Sequence, residues 1–197
     1  KDYEAKKISK EELTKVEDAC ITDLIQKEKA AGLHVITDGE FRRATWHLDF
    51  MWGFDGVSHT PTKTGLPFHG EAAMIDDTYI TEKVGVNGTH PFVEHFKFVK
   101  QFEDENTIAK QTIPAPAQFL EQMILPFALE NTRKYYEDTE ELVQDIANGY
   151  KVVIQQLYDA GCRCIQFDDC SWGMLVDEKA PLFFQTDQEG LLKVQEL

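Results

Sequence analysis

The sequence predicts an α/β protein built from βα units, and three observations carry that prediction. Two stretches repeat one grammar, a long amphipathic helix, a glycine, a short apolar strand and then acids. They read Ala31-Gly32-Leu33-His34-Val35-Ile36-Thr37-Asp38-Gly39-Glu40 and Ala160-Gly161-Cys162-Arg163-Cys164-Ile165-Gln166-Phe167-Asp168-Asp169. Each glycine suits the left-handed position that ends a helix. Helical patterns separate successive strand patterns, which is the alternation of a parallel sheet. A closed (β/α)8 barrel of the TIM type needs eight strands and typically about 250 residues. Three core strands in 197 residues therefore make an incomplete piece of such a barrel.

The elements follow in order. Ser9 and Glu12 fit a capping box, after which Leu13, Val16, Cys20 and Leu24 recur at helical spacing up to Gly32. This places Cys20 on an apolar, core-facing stripe. The strand 33–37 follows, and Phe41 to Phe54 reads as a short aromatic and charged helix. From Gly56 to Gly88 the pattern breaks. Pro61, Gly65, Pro67 and Gly70 mark loops, and Thr78 to Val86 alternates like an exposed strand. We read 56–88 as a loop and β excursion from a single truncated barrel domain spanning 1–197.

Thr89 to Gln101 reads as a helix, and Thr107 to Ile113 as a strand ended by Pro114-Ala115-Pro116. A helix from about Gln118 breaks near Pro126. Asp138 and Glu141 fit a second capping box, and Leu142, Ile146, Tyr150, Val153 and Leu157 carry an apolar stripe to Gly161. The strand 164–167 ends in Asp168-Asp169, and Gln188 to Leu197 reads as a helix. A start at Lys1 and a helix pattern running to Leu197 lead us to expect an internal piece of a longer protein.

Composition narrows the function classes. The 20 basic and 35 acidic residues give a formal charge of −15, which opposes phosphate backbones and anionic membranes. Nucleic acid and membrane are thus not expected as partners, and the expected ligand is a small molecule. No stretch approaches the roughly 18 apolar residues of a membrane span, and 1–7 lack the apolar segment of a signal peptide, so a cytoplasmic location is expected. There is no phosphate-cradling glycine loop, no G-x-S-x-G and no H-E-x-x-H, so neither a nucleotide cofactor nor serine hydrolysis is expected. Cys162, Cys164 and Cys170 have no paired C-x-x-C spacing, which favours reduced thiols over a zinc site within this chain.

Chemistry is expected where acids end strands, because parallel sheets place their active face at the carboxyl ends of the strands. Glu40 and Asp168 are the candidate pair, with Asp38, Trp46, His47, Asp169 and Trp172 as candidate pocket lining. Carboxylates there serve a substrate ammonium, a metal or proton transfer. The competing reading is a plain strand-end turn, its acids capping the next helix or pairing with Arg42 or Arg43. Trp52 is a further aromatic of the rim, and His34 reads as structural.

Three stretches, Asp38-Gly39-Glu40-Phe41-Arg42-Arg43, Ile113-Pro114-Ala115-Pro116-Ala117 and the second helix–glycine–strand–acid unit, resemble the C-terminal barrel of cobalamin-independent methionine synthases. Short single-barrel members are the most similar. The resemblance implies a zinc-dependent (β/α)8 methyltransferase of amino-acid biosynthesis that makes methionine from homocysteine with a 5-methyltetrahydrofolate-type donor. It implies that Glu40 and Asp168 hold the amino group of homocysteine. It places the zinc ligands, a His-x-Cys pair, a glutamate and a cysteine, beyond Leu197, and a Gly-Ser loop for the carboxylate before Lys1. Phe119 is the aromatic nearest the position that stacks folate in long members. The isolated piece is then expected to be inactive. Two other classes fit the acids: a glycoside hydrolase, whose paired carboxylates flank a bond, and a non-catalytic amino-acid-binding barrel.

Overall fold

Helix ends and strand ends set the architecture of a computed structural model that describes residues 2–63, 66–68, 71–183 and 188–196. Helix α1 (Lys10–Ala30) opens with the full capping box, the Ser9 hydroxyl accepting from Glu12 N and the Glu12 carboxylate from Ser9 N. It ends in a Schellman turn: Leu33 N donates to Glu28 O and Gly32 N to Lys29 O, with Gly32 at φ 81°. The same turn closes the later long helix, where Cys162 N reaches Leu157 O and Gly161 sits at φ 92°. Two identical helix stops thus feed two parallel strands.

Those strands are β1 (Val35–Ile36) and, much later, β8 (Ile165–Asp168). Between them in space runs one segment, split into β6 (Ile108–Ala109) and β7 (Gln111–Pro114). β6 pairs in parallel with β1, and β7 pairs in parallel with β8 with Thr112 opposite Gln166 and Pro114 opposite Asp168. The segment changes partner at Lys110. Pro114 has no N–H to give, and the ladder continues past it through Ala115 N to Asp168 O at 2.8 Å. All three strands therefore point their carboxyl ends the same way.

The excursion contains more structure than its loop signals suggest. β2 (Asp55–Thr60) pairs antiparallel with β5 (Asp77–Gly85), and β3 (Leu66–Phe68) pairs with β4 (Glu71–Ala73). Sequence patterning misses β2 because its Asp55-Gly56 start reads as a turn. The expected helix over 41–54 is mostly turns, with α2 confined to Leu48–Met51. Asp49 holds the preceding backbone instead, accepting from Ala44 N and Thr45 N.

Helix α3 (Pro91–Lys100) begins at His90, whose ring is fully buried. Its Nδ1 accepts from Phe92 N while Nε2–H donates to Phe50 O at 2.9 Å, so both nitrogens are used by the neutral ring. Helices α4 (Pro116–Ile124) and α5 (Pro126–Thr132) divide at Pro126 as expected. In α6 (Thr139–Asp159), Leu142, Ile146, Tyr150, Val153 and Leu157 are all buried. Asp138 caps it by accepting from Glu140 N, but Glu141 turns outward to Lys83, so the second capping box does not form. Short α7 (Ser171–Leu175), α8 (Ala180–Phe183) and α9 (Gln188–Glu196) end the chain.

The core is centred on packed rings, with Phe50, Phe54, Phe92, Phe119 and Tyr150 in mutual contact. Edge-on and tilted aromatic packing of this kind contributes beyond simple area burial. In α1 the core takes Ile21 and Ile25, one residue on from the expected stripe, while Cys20 and Val16 are exposed. Among the described residues no helix is long and apolar enough to cross a membrane.

Candidate functional site

The turn after β1 places two left-handed residues in succession. Gly39 and Glu40 are both left-handed, at φ 58° and 61°. For a glutamate this conformation costs about 1–2 kcal/mol. It is held by Glu40 N donating to Asp38 Oδ1 at 2.9 Å and by Arg43 N donating to Glu40 O. The result is to lift the Glu40 side chain over the carboxyl end of β7. There the Thr112 hydroxyl donates to Glu40 Oε1 at 2.7 Å.

Arg43 lies behind this pair with its side chain 1% exposed. Nη1 donates to Glu40 Oε1 at 2.9 Å and to Trp46 O, and Nη2 donates to both the carbonyl and the hydroxyl of Thr112. Its guanidinium also covers the Phe92 ring at 4.5 Å. Burial lowers the Arg43 pKa, opposed by the field of Asp38, Glu40, Asp49 and Asp168. The fork geometry explains why an arginine stands here, since a lysine ammonium cannot reach four acceptors in one plane.

A cleft of about 400 Å³ opens above these groups, lined by Glu40, Trp46, Thr112, Gln166, Asp168, Asp169 and Cys170. Three carboxylates line one space and, among the described residues, no lysine or arginine does, so the cleft favours a cation. Gln166 Nε2 donates to Asp168 Oδ1 at 2.6 Å, and Lys110 Nζ donates to Gln166 Oε1 at 2.6 Å. Asp169 Oδ1 accepts from Ser171 N and its hydroxyl, which fixes the start of α7.

Beside the cleft, α4 buries Gln118 and Glu121. Cys170 Sγ donates to Gln118 Oε1 at 2.8 Å. Burial and then the neighbouring Asp169 push Glu121 up to about 7. Burial, then Glu121 and Asp169, also raise the Cys170 thiol, which keeps it protonated near neutrality.

Of the sequence candidates, Glu40, Trp46, Asp168 and Asp169 line this one cleft. Asp38 does not: it is 4% exposed and serves the turn beneath Glu40. His47 sits against the Trp46 ring, and burial lowers its pKa to about 4. Trp172 is exposed and Trp52 stacks on His59 away from the cleft. Phe119 is fully buried against Phe54, so it offers no open face for stacking. His34 is exposed just before β1, its Nδ1 bonded to Asn106 O. The loop glycines Gly65 and Gly70 lie outside the described residues. The pairing of Glu40 with Arg43, raised as the competing reading, is present alongside the cleft. Sequence reasoning missed Thr112 and Gln166, although strand alternation puts both on the face of Asp168.

The chain is similar to several known proteins. No family model matches the chain. A solved structure from Listeria monocytogenes, a putative vitamin-B12-independent methionine synthase, is 35% identical and superposes with a TM-score of 0.71, covering 97% of this chain and 51% of that one. The uncharacterized Bacillus subtilis protein YxjH is 36% identical over 175 residues, 89% of this chain and 44% of its own length. Methionine synthase of Saccharolobus solfataricus is 25% identical over 183 residues, covering 87% of this chain and 50% of that protein. A B12-independent methionine synthase from Shewanella, solved in complex with selenomethionine, shares the fold at 21% identity and a TM-score of 0.59, over 89% of this chain and 50% of that one. The chain is thus an α/β protein with an acid-lined cleft at the carboxyl ends of parallel strands. The chain belongs to the cobalamin-independent methionine synthase family. It spans about half the length of the relatives it matches.

Proposed function

We propose that this chain is the amino-acid-binding part of a (β/α)8-barrel methyltransferase that moves a methyl group to the thiol of homocysteine. Glu40 and Asp168 hold the substrate ammonium, each through the oxygen opposite the one already engaged by protein. The observation that carries this reading is the cleft itself, lined by three carboxylates and, among the described residues, by no lysine or arginine. Two charge-assisted bonds orient an α-amino acid strongly, because an ammonium offers three donors and carboxylates only accept. The family likeness supports the same ligand class, and the Shewanella protein was solved with a methionine analogue bound. A 5-methyltetrahydrofolate-type donor follows from the likeness alone, as does a single barrel domain with 56–88 as its excursion.

The family also implies zinc, which would lower the pKa of the bound thiol. Among the described residues no three His, Cys, Asp or Glu side chains stand together to hold a metal. Cys170 Sγ is engaged by Gln118 Oε1. We therefore assign the described residues no part in that centre. What they do is bind and orient the amino-acid end, which leaves the sulfur to be activated by groups elsewhere in the protein.

The test is calorimetric titration of L-homocysteine into the full protein that carries this chain. Glu40→Gln and Asp168→Asn are each expected to weaken binding roughly tenfold to a hundredfold, the scale of one hydrogen bond to a charged group. Unchanged affinity in both variants would refute the assignment.

A further inference from the structure

On the open face of the parallel strands, Lys110, Gln166 and Asp168 form a relay that ends in the cleft. Lys110 donates to Gln166 Oε1 and Gln166 Nε2 donates to Asp168 Oδ1, both at 2.6 Å. The register brings them together: Thr112 lies opposite Gln166 and Pro114 opposite Asp168, and Lys110 precedes Thr112 by two residues on the same face. Gln166 and Asp168 line the cleft, whereas Lys110 does not.

We infer that Lys110 is a positioning residue for the ligand ammonium, acting through the amide of Gln166. This rests on the reading of Asp168 as an ammonium-binding group. A glutamine amide can turn over and present either its oxygen or its nitrogen to a neighbour, and its environment decides which. A lysine ammonium has donors and no acceptor, so it takes Oε1 and sends Nε2 toward Asp168. The amide then fixes Oδ1 and leaves Oδ2 for the ligand. It also separates the lysine charge from the carboxylate, so Asp168 is oriented without being neutralised by a direct ion pair. Without Lys110 the amide loses its anchor on Oε1, and the Gln166 side chain is free to swing away from Asp168. Glu40 is held in the same manner, with Thr112 and Arg43 both on Oε1. Each acid thus gives one oxygen to the protein.

The experiment compares L-homocysteine with 4-sulfanylbutanoate, the same molecule without its amino group, by calorimetry on the full protein. The wild type is expected to prefer homocysteine by tenfold or more. Lys110→Met and Gln166→Leu are each expected to weaken homocysteine binding by roughly tenfold, a loss of one charge-assisted contact. Binding of the amino-free analogue should stay within about twofold in both. Lys110→Arg, which also only donates, should restore homocysteine binding to within about threefold of wild type. Equal weakening of both ligands in K110M would mark a merely structural role and overturn the inference. So would unchanged homocysteine affinity in K110M beside a weakened Asp168→Asn, an outcome that leaves the ammonium reading standing. A wild type that binds both ligands equally would overturn that reading, and this inference with it.

Discussion

The hydroxyl of Thr112 donates to Oε1 of Glu40 at 2.7 Å, joining a strand end to a left-handed turn 72 residues earlier in the chain. The contact fixes where the Glu40 carboxylate points, and the same hydroxyl accepts from Arg43. Thr112→Val keeps the shape and removes both bonds. It is expected to cost about 1 kcal/mol of stability and to weaken homocysteine binding several-fold. Urea unfolding followed by titration checks both. A variant that binds as tightly as wild type would show that Glu40 needs no such support.

Arg43 is the structural centre of the site, almost wholly buried with four hydrogen-bond acceptors and an aromatic face around it. Arg43→Met is expected to destabilise the fold by about 2–4 kcal/mol, because Glu40 and Thr112 lose their donors inside the protein. Arg43→Lys should recover less than half of that, since one ammonium does not reproduce the fork. Thermal or urea melts of the two variants decide it. Full rescue by lysine would contradict the geometric argument.

Opposite ionisations shape the pH dependence of stability. Burial lowers His47, His90 and His95 to about 4 from 6.5. Between those values the unfolded chain binds more protons, so their contribution is full above pH 6.5 and is lost as pH falls toward 4. Glu121 runs the other way, raised from 4.5 to about 7. Its contribution is full below pH 4.5 and is lost as pH rises through 7. Glu121→Gln is therefore expected to stabilise the protein at pH 8 and to change little at pH 5. Melting curves across that range check the sign, and stabilisation greater at pH 5 than at pH 8 would contradict it.

The thiols give a simpler contrast. Cys20 is exposed, and Cys162 is 2% exposed with a burial-raised pKa. A maleimide at neutral pH is expected to label Cys20 in the native state and Cys162 after unfolding. Mass spectrometry of the labelled peptides checks this, and early modification of Cys162 would place its strand end in solvent.

Much of the parallel unit is legible in the sequence because its signals are local. Gly32 and Gly161 stop helices by a backbone conformation that few other residues accept, and each strand follows within a few residues. Ser9 and Glu12 announce the first helix for the same reason. The misses are non-local. Cys20 and Ile21 are neighbours on a helix with few apolar residues, and packing against the sheet chose the isoleucine. Glu141 was drawn from its cap by Lys83 on a distant strand. At the site, the acids are visible because carboxylates ending an apolar strand are unusual. Thr112, Gln166 and Lys110 look like ordinary strand residues until the pairing of β7 with β8 puts them beside those acids.

We propose that Glu40 and Asp168 together hold the amino group of an amino acid. A crystal structure of the full protein with L-selenomethionine, its selenium located by anomalous scattering, tests it most directly. The ligand is expected in the cleft beside Trp46, its amino nitrogen about 3 Å from one carboxylate oxygen of each residue. A bound ligand whose amino nitrogen contacts neither Glu40 nor Asp168 would contradict it.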